Sequence, residues 1–194
     1  MKIILASKSP RRKEILSNLG LEFEVITADT DESSDITDPE SLVQVLAVRK
    51  GRAVREIHPE NDTLIISCDT VVSLDGKILG KPEDPENAIE MLRSLSGKKH
   101  TVISGLALFL NGKTISAADS TDVYFAEMPD DFIRSYVASG DPMDKAGAYA
   151  VQGKTSLYID KLDGCYFNVV GLPVRLLTKL LSQLGLDPTR LVMS

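Results

Sequence analysis

A helix that begins Ser9-Pro10-Arg11-Arg12-Lys13 places positive charge where helices ordinarily repel it, and no other stretch of this chain has clearer chemical content. Ser9 suits the N-cap and Pro10 suits the first helical position, whose N–H needs no intrahelical partner. A capping box would carry Glu or Gln at the third helical position, where this chain has Arg12. The positive end of the helix dipole disfavours each such charge by about 0.3–1 kcal/mol. An anion seated on the first N–H groups reverses that sign. Arg11 and Arg12 precede Ile15 and Leu16 by four residues, so they share the inward-facing side. A solvated basic turn is the plainer alternative.

Asp69 is the second candidate. It ends the run Leu64-Ile65-Ile66-Ser67-Cys68, which reads as a buried central strand. Open α/β sheets bind ligands at the carboxyl ends of such strands. A carboxylate there is costly to bury without a partner, and a divalent cation, a lysine or an arginine would supply one. The alternative is a turn or capping aspartate. Lys50 lies four residues after Leu46 on an apolar helical stripe, so it either snorkels to the edge of the core or points inward. Gly80-Lys81-Pro82 sets a cation on a tight turn, a pattern that ordinary loops share. Asp31 and Glu32 are adjacent carboxylates able to hold magnesium through oxygens and waters, in a loop that solvation alone would also suit. Residues 144–153 crowd Ala146, Gly147, Ala148 and Ala150 around Lys145 and Gln152. That is too apolar for a free surface loop, and it predicts packing against a ligand or a neighbouring subunit.

These residues need elements to hold them. The pattern predicts strands over 2–6, 22–27, 64–67 and 71–74, a hairpin turn at Asp75-Gly76, and a second, long hairpin from His100 to Phe125 across Asn111-Gly112. Helices are predicted from Pro10 to Gly20, from Asp38 to about Ile57, from Asp84 to Gly97, over 129–138 and over 173–184. Leu42, Leu46, Ala53 and Ile57 form the expected buried stripe of the long second helix. Residues 158–162 and 165–169 are expected to pair across Asp163-Gly164. Helices alternating with buried strands and hairpins predict an α/β class with a mixed sheet.

With 194 residues, 43% of them hydrophobic and 26% charged, the chain suits one globular domain over 1–194. A net charge of −6 argues against a nucleic-acid polymer as partner and for a small phosphorylated ligand met by a local basic loop. The chain has no Gly-x-x-x-x-Gly-Lys-Ser/Thr loop and no Gly-x-Gly-x-x-Gly after a strand, which excludes P-loop switches and nicotinamide enzymes. Cys68 and Cys165 are expected to be free thiols in a reducing compartment, and His58 and His100 are not spaced to make a zinc site with them. The leading apolar run is too short for a signal peptide, and no stretch approaches a membrane span, so the expected location is cytoplasmic.

Taken together, Leu5-Ala6-Ser7-Lys8-Ser9-Pro10-Arg11-Arg12, Asp69-Thr70, Gly80-Lys81-Pro82, Asp144-Lys145-Ala146-Gly147-Ala148-Tyr149 and Gly171-Leu172-Pro173 resemble the Maf family of nucleotide pyrophosphatases. The resemblance runs from residue 3 to about 180, in one order and without a large insertion. It implies a fold like that of inosine triphosphate pyrophosphatase, with an elongated mixed sheet, two lobes and a central cleft. It further implies hydrolysis of a nucleoside triphosphate to the monophosphate and pyrophosphate, a divalent cation (Mg²⁺ or Mn²⁺), and a homodimer. On the same ground Asp69 is the proton acceptor, with base, metal ligand or both as its open alternatives, Glu32 is an acidic residue associated with the metal, and Ser7, Arg11, Arg12, Lys50 and Lys81 line the triphosphate site. The trio Arg11, Thr70 and Gln152 resembles that of the dTTP/UTP subclass. A pyrophosphatase for 7-methyl-GTP or inosine triphosphate, or a non-catalytic nucleotide-binding regulator of septation, is the competing expectation. Cys68 stands where many relatives carry alanine.

Overall fold

A computed structural model describes residues 1–193. In chain order the elements are β1 (Lys2–Leu5), α1 (Pro10–Asn18), β2 (Glu24–Val25), α2 (Pro39–Ile57), β3 (Thr63–Leu74), β4 (Lys77–Leu79), α3 (Pro85–Leu95), β5 (Lys99–Leu110), β6 (Lys113–Phe125), α4 (Asp130–Ala138), β7 (Ile159–Asp163), α5 (Tyr166–Val170), α6 (Val174–Gln183) and α7 (Pro188–Met193). Among the described residues seven strands form one mixed sheet in the order β2-β1-β3-β5-β6-β7, with β4 paired to β3. β1 runs parallel to both β2 and the start of β3, whereas β3 with β4 and β6 with β7 are antiparallel.

The chain divides into two compact units. The first comprises Met1–Asp69, Ser104–Asp119 and the segment beginning at Gly171; the second comprises Thr70–Ile103 and Ser120–Val170. The core of the first unit includes Ile4, Ala6, Ala47, Val54, Ile65, Ala107 and Phe109. The second is built around Val72, Leu92, Leu95, Val102, Val123, Phe125, Ile133 and Tyr136.

α2 packs differently from the predicted stripe. Its buried residues are Val43, Leu46, Ala47, Gly51 and Val54, while Ile57 is 57% exposed. The inward face includes the small residues Ala47 and Gly51, where the helix backbone approaches the sheet closely. A Cβ on Gly51 would lie 2.1 Å from Phe109 Cε2 and 2.5 Å from Ser67 Oγ, and one on Gly105 would lie 2.3 Å from the Val43 carbonyl. Patterns of large apolar residues miss such a face, since close backbone approach replaces bulky side chains as the source of dispersion contacts. Arg55 then ties the end of α2 to the sheet by donating to the carbonyls of Thr63 (2.7 Å) and Phe109 (3.1 Å).

The two hairpins form as expected, with Asp75-Gly76 and Asn111-Gly112 all at positive φ. Residues 165–169 do not form a strand. Tyr166–Val170 is helical, and β7 pairs with β6 instead. The Asn168 side chain accounts for this choice: it donates to the Val102 carbonyl and to Thr121 Oγ1, both at 3.0 Å, and tertiary hydrogen bonds outweigh the β-propensity of Val169 and Val170. The segment expected as one strand over 22–27 is regular only at Glu24–Val25, and α7 extends beyond the elements that the pattern suggested.

Candidate active site

In the first unit Glu32, Lys50 and Asp69 form one contacting group, and Ser7 and Arg12 form another. Asp69 sits on β3, three residues past the end of the parallel register with β1, which stops at Leu5 and Ile66. The strand continues to Leu74, as the pattern over 71–74 predicts, so Asp69 lies within it and not at its carboxyl end. Asp69 is 8% exposed, and its Oδ1 receives the Lys50 ammonium at 2.5 Å. The same ammonium reaches Glu32 Oε1 at 3.0 Å. Lys50 therefore points inward and joins two carboxylates from separate segments. Its position follows from α2's close seat on the sheet: at Gly51, the next residue, Phe109 and Ser67 leave no room for a Cβ, and Ser67 Oγ donates to the Ala47 carbonyl at 2.7 Å.

The adjacent acids Asp31 and Glu32 have different roles. Asp31 Oδ1 accepts the Ser33 N–H at 2.9 Å, and hydrogen bonds from Ser33 hold its carboxyl below the ordinary range. Only Glu32 turns to Lys50. Arg49 fixes the loop between them by donating to the carbonyls of Ser33 (2.7 Å) and Asp31 (3.3 Å), a function that nothing in the sequence pattern marked. A groove of about 750 Å³ opens between this loop and α2, lined by residues such as Asp31, Ser33, Arg52 and Glu56, and of the sequence candidates only Asp31 lines it.

The second group is at the start of α1. Pro10 occupies the first helical position and no acid lies in the first turn, in contrast with Glu40 in α2, Glu86 in α3 and Asp130 and Asp131 in α4. Ser9 is at the N-cap position, but its hydroxyl makes no cap bond; its N–H instead donates to Ser7 Oγ at 3.3 Å. Arg12 turns back, with Nη1 donating to Ser7 Oγ (3.1 Å) and Nε to the Gly171 carbonyl (2.7 Å). Gly171 holds a φ of 118°, favourable for glycine, and its carbonyl also accepts Cys68 Sγ–H at 3.2 Å. Gly171 is thus the anchor of Arg12, and sequence reasoning had assigned it no role. Both cysteines are free thiols.

Three predicted residues belong to the second unit. Thr70 follows Asp69 on β3 and is half-buried. Lys81 and Gln152 are exposed in loops. Lys81 follows Gly80, whose carbonyl accepts the Gly147 N–H at 2.9 Å. Lys145 does not face outward for a ligand: its ammonium is held by the Asp141 carbonyl and by Asp144 Oδ1.

A carboxylate pair within reach of one cation suits a hard divalent ion only if further oxygens complete its shell. Among the described residues no group of three or more His, Cys, Asp or Glu could cage a metal. Two carboxylates with phosphate oxygens from a bound polyphosphate fit the usual habit of Mg²⁺. Glu32 and Asp69 supply two carboxylates of that kind, both on the Lys50 ammonium. No helix among the described residues is long and apolar enough to cross a membrane.

The mixed α/β fold is similar to that of the Staphylococcus aureus Ham1 protein, which matches 94% of this chain and 99% of its own with a TM-score of 0.53, at 14% identity. The chain belongs to the Maf family, whose model, described as Maf-like protein, matches residues 2–184. A dTTP/UTP pyrophosphatase of Clostridium acetobutylicum is 45% identical over 96% of this chain and 100% of its own. Another so named, from Pelotomaculum thermopropionicum, is 48% identical over 94% and 96% respectively.

Proposed function

We propose that this protein hydrolyses dTTP and UTP to the monophosphate and pyrophosphate. The observation that carries the reading is Asp69, a nearly buried carboxylate held by Lys50 beside Glu32, in a chain alike over almost its whole length to enzymes named for that reaction. Asp69 accepts the proton of the water that attacks the α-phosphorus, a role worth about 10²–10⁴ in rate. Arg11, Arg12, Ser7 and Lys81, with the N-terminus of α1, hold the triphosphate, whose negative charge offsets the positive charge of the arginines in the first turn. Lys50 keeps two acids close together and fixes the direction of the Asp69 carboxylate. A divalent cation, Mg²⁺ or Mn²⁺, bound by Glu32 and Asp69 would neutralise charge developing on the leaving pyrophosphate. Thr70, Arg11 and Gln152 select the base; the glutamine amide offers the one donor and one acceptor that uracil and thymine both match. The reading includes a single functional domain over 1–194, a cytoplasmic location and a homodimer, which sedimentation of the purified protein tests.

Product identification is the decisive experiment. Incubated with dTTP and Mg²⁺, the protein yields dTMP and pyrophosphate, resolved by phosphorus NMR. Formation of dTDP and orthophosphate, or binding without turnover at any metal concentration, would overturn the proposal. A panel including 7-methyl-GTP and inosine triphosphate reports the base, with dTTP and UTP preferred.

A further inference from the structure

The second unit contains a buried polar pair that the reaction itself does not use. His100, on β5, is 1% exposed, and its Nε2 lies 2.7 Å from the hydroxyl of Tyr149, itself buried. Phe125 packs against both rings, with centroids 4.9 Å away in each case. Burial pushes His100 down to about 4 from an ordinary 6.5, with Asp122 opposing, and pushes Tyr149 up, so both are neutral near pH 7. A neutral hydrogen bond this well enclosed is costly to break, because either partner alone would be left unsatisfied.

The bond lies at one end of an unusual backbone. Gly147 and Ala148, immediately before Tyr149, both adopt left-handed conformations, with φ of 67° and 60°. For alanine that costs of order 1–2 kcal/mol, and such strain persists only where the surroundings over-determine it. Gly147 is further confined: a Cβ there would lie 2.9 Å from Val72 Cγ2. What the strained turn achieves is a bond from the Gly147 N–H to the Gly80 carbonyl, 2.9 Å long, directly before Lys81. Lys81 itself is exposed and makes no hydrogen bond or ion pair among the described residues, so the backbone at its base is what directs it.

We propose that His100 and Tyr149 are positioning residues: their hydrogen bond locks the Gly147-Ala148 turn, and the turn fixes the Gly80 carbonyl and so the direction of Lys81. The inference rests on the reading that Lys81 binds the triphosphate. A double-mutant cycle of Tyr149→Phe with Lys81→Ala, followed by KM and kcat for dTTP, tests it. Tyr149→Phe keeps the ring and removes the hydroxyl. The expected result is a KM about tenfold higher with kcat little changed, within the range that a displaced binding group costs, and no further rise when Lys81 is already alanine. A merely structural role would lower the active fraction, and hence kcat, equally in both backgrounds. An equal rise in KM in both backgrounds overturns the inference and leaves the Lys81 reading intact. No effect of Lys81→Ala alone overturns that reading and the inference with it. If Tyr149→Phe does not fold, His100→Leu carries the same cycle, with His100→Gln, which keeps a donor for the tyrosine oxygen, expected to restore the KM.

Discussion

The Lys50–Asp69 pair of the first unit and the His100–Tyr149 pair of the second both join separate segments through one short polar contact. The first is charged, and its lysine side chain remains 19% exposed. The second is neutral and sealed. The difference follows from desolvation: an ion pair shut away from water loses more than it gains, whereas a hydrogen-bonded neutral pair tolerates full burial. The charged pair thus keeps contact with solvent, and the neutral pair is sealed in the core.

The largest expected effect separates the pairs by chemistry. Asp69→Asn should lower dTTP turnover by at least 10², while nucleotide binding, measured calorimetrically, persists; activity within about threefold of wild type would remove Asp69 from its role. Next, acid should attack the second unit through His100. The unfolded chain takes up the proton near pH 6.5 and the folded one only near 4, so stability is full above pH 6.5 and is lost as pH falls toward 4. The loss approaches about 3 kcal/mol. Urea melts should register it in the wild type and not in His100→Gln, and parallel curves would refute the burial argument.

Smaller changes sharpen the contrast. Gly51→Ala must push α2 off Phe109 and Ser67, at about 1–3 kcal/mol. It should also carry Lys50 from Asp69, so the melting temperature and kcat should fall together; a drop in stability with kcat untouched would show that the seat of α2 does not set the site. Smallest in stability is Gln152→Glu, which lies on the surface and should leave melting unchanged within about 0.5 kcal/mol. It should nonetheless alter the ranking of nucleotides in the substrate panel, and an unaltered ranking would end its assignment to base selection.

The sequence by itself determined the elements with strong local signals. Asp38 and Asp84 cap their helices as expected, and the Asp75-Gly76 and Asn111-Gly112 turns form, because caps and tight turns depend on a few adjacent residues. It also marked Lys50, Asp69 and the arginine-bearing first turn, since charges in such places go against local preference and need a cause. Only the tertiary structure decided which side of α2 is buried, because a face of Ala47 and Gly51 gains its contacts from the approach of a distant strand. It alone decided that Tyr166–Val170 is helical, through the bonds of Asn168, and that Gly171 anchors Arg12 across the chain. Residue types fix what a group can do, but partners far apart in sequence fix where it points.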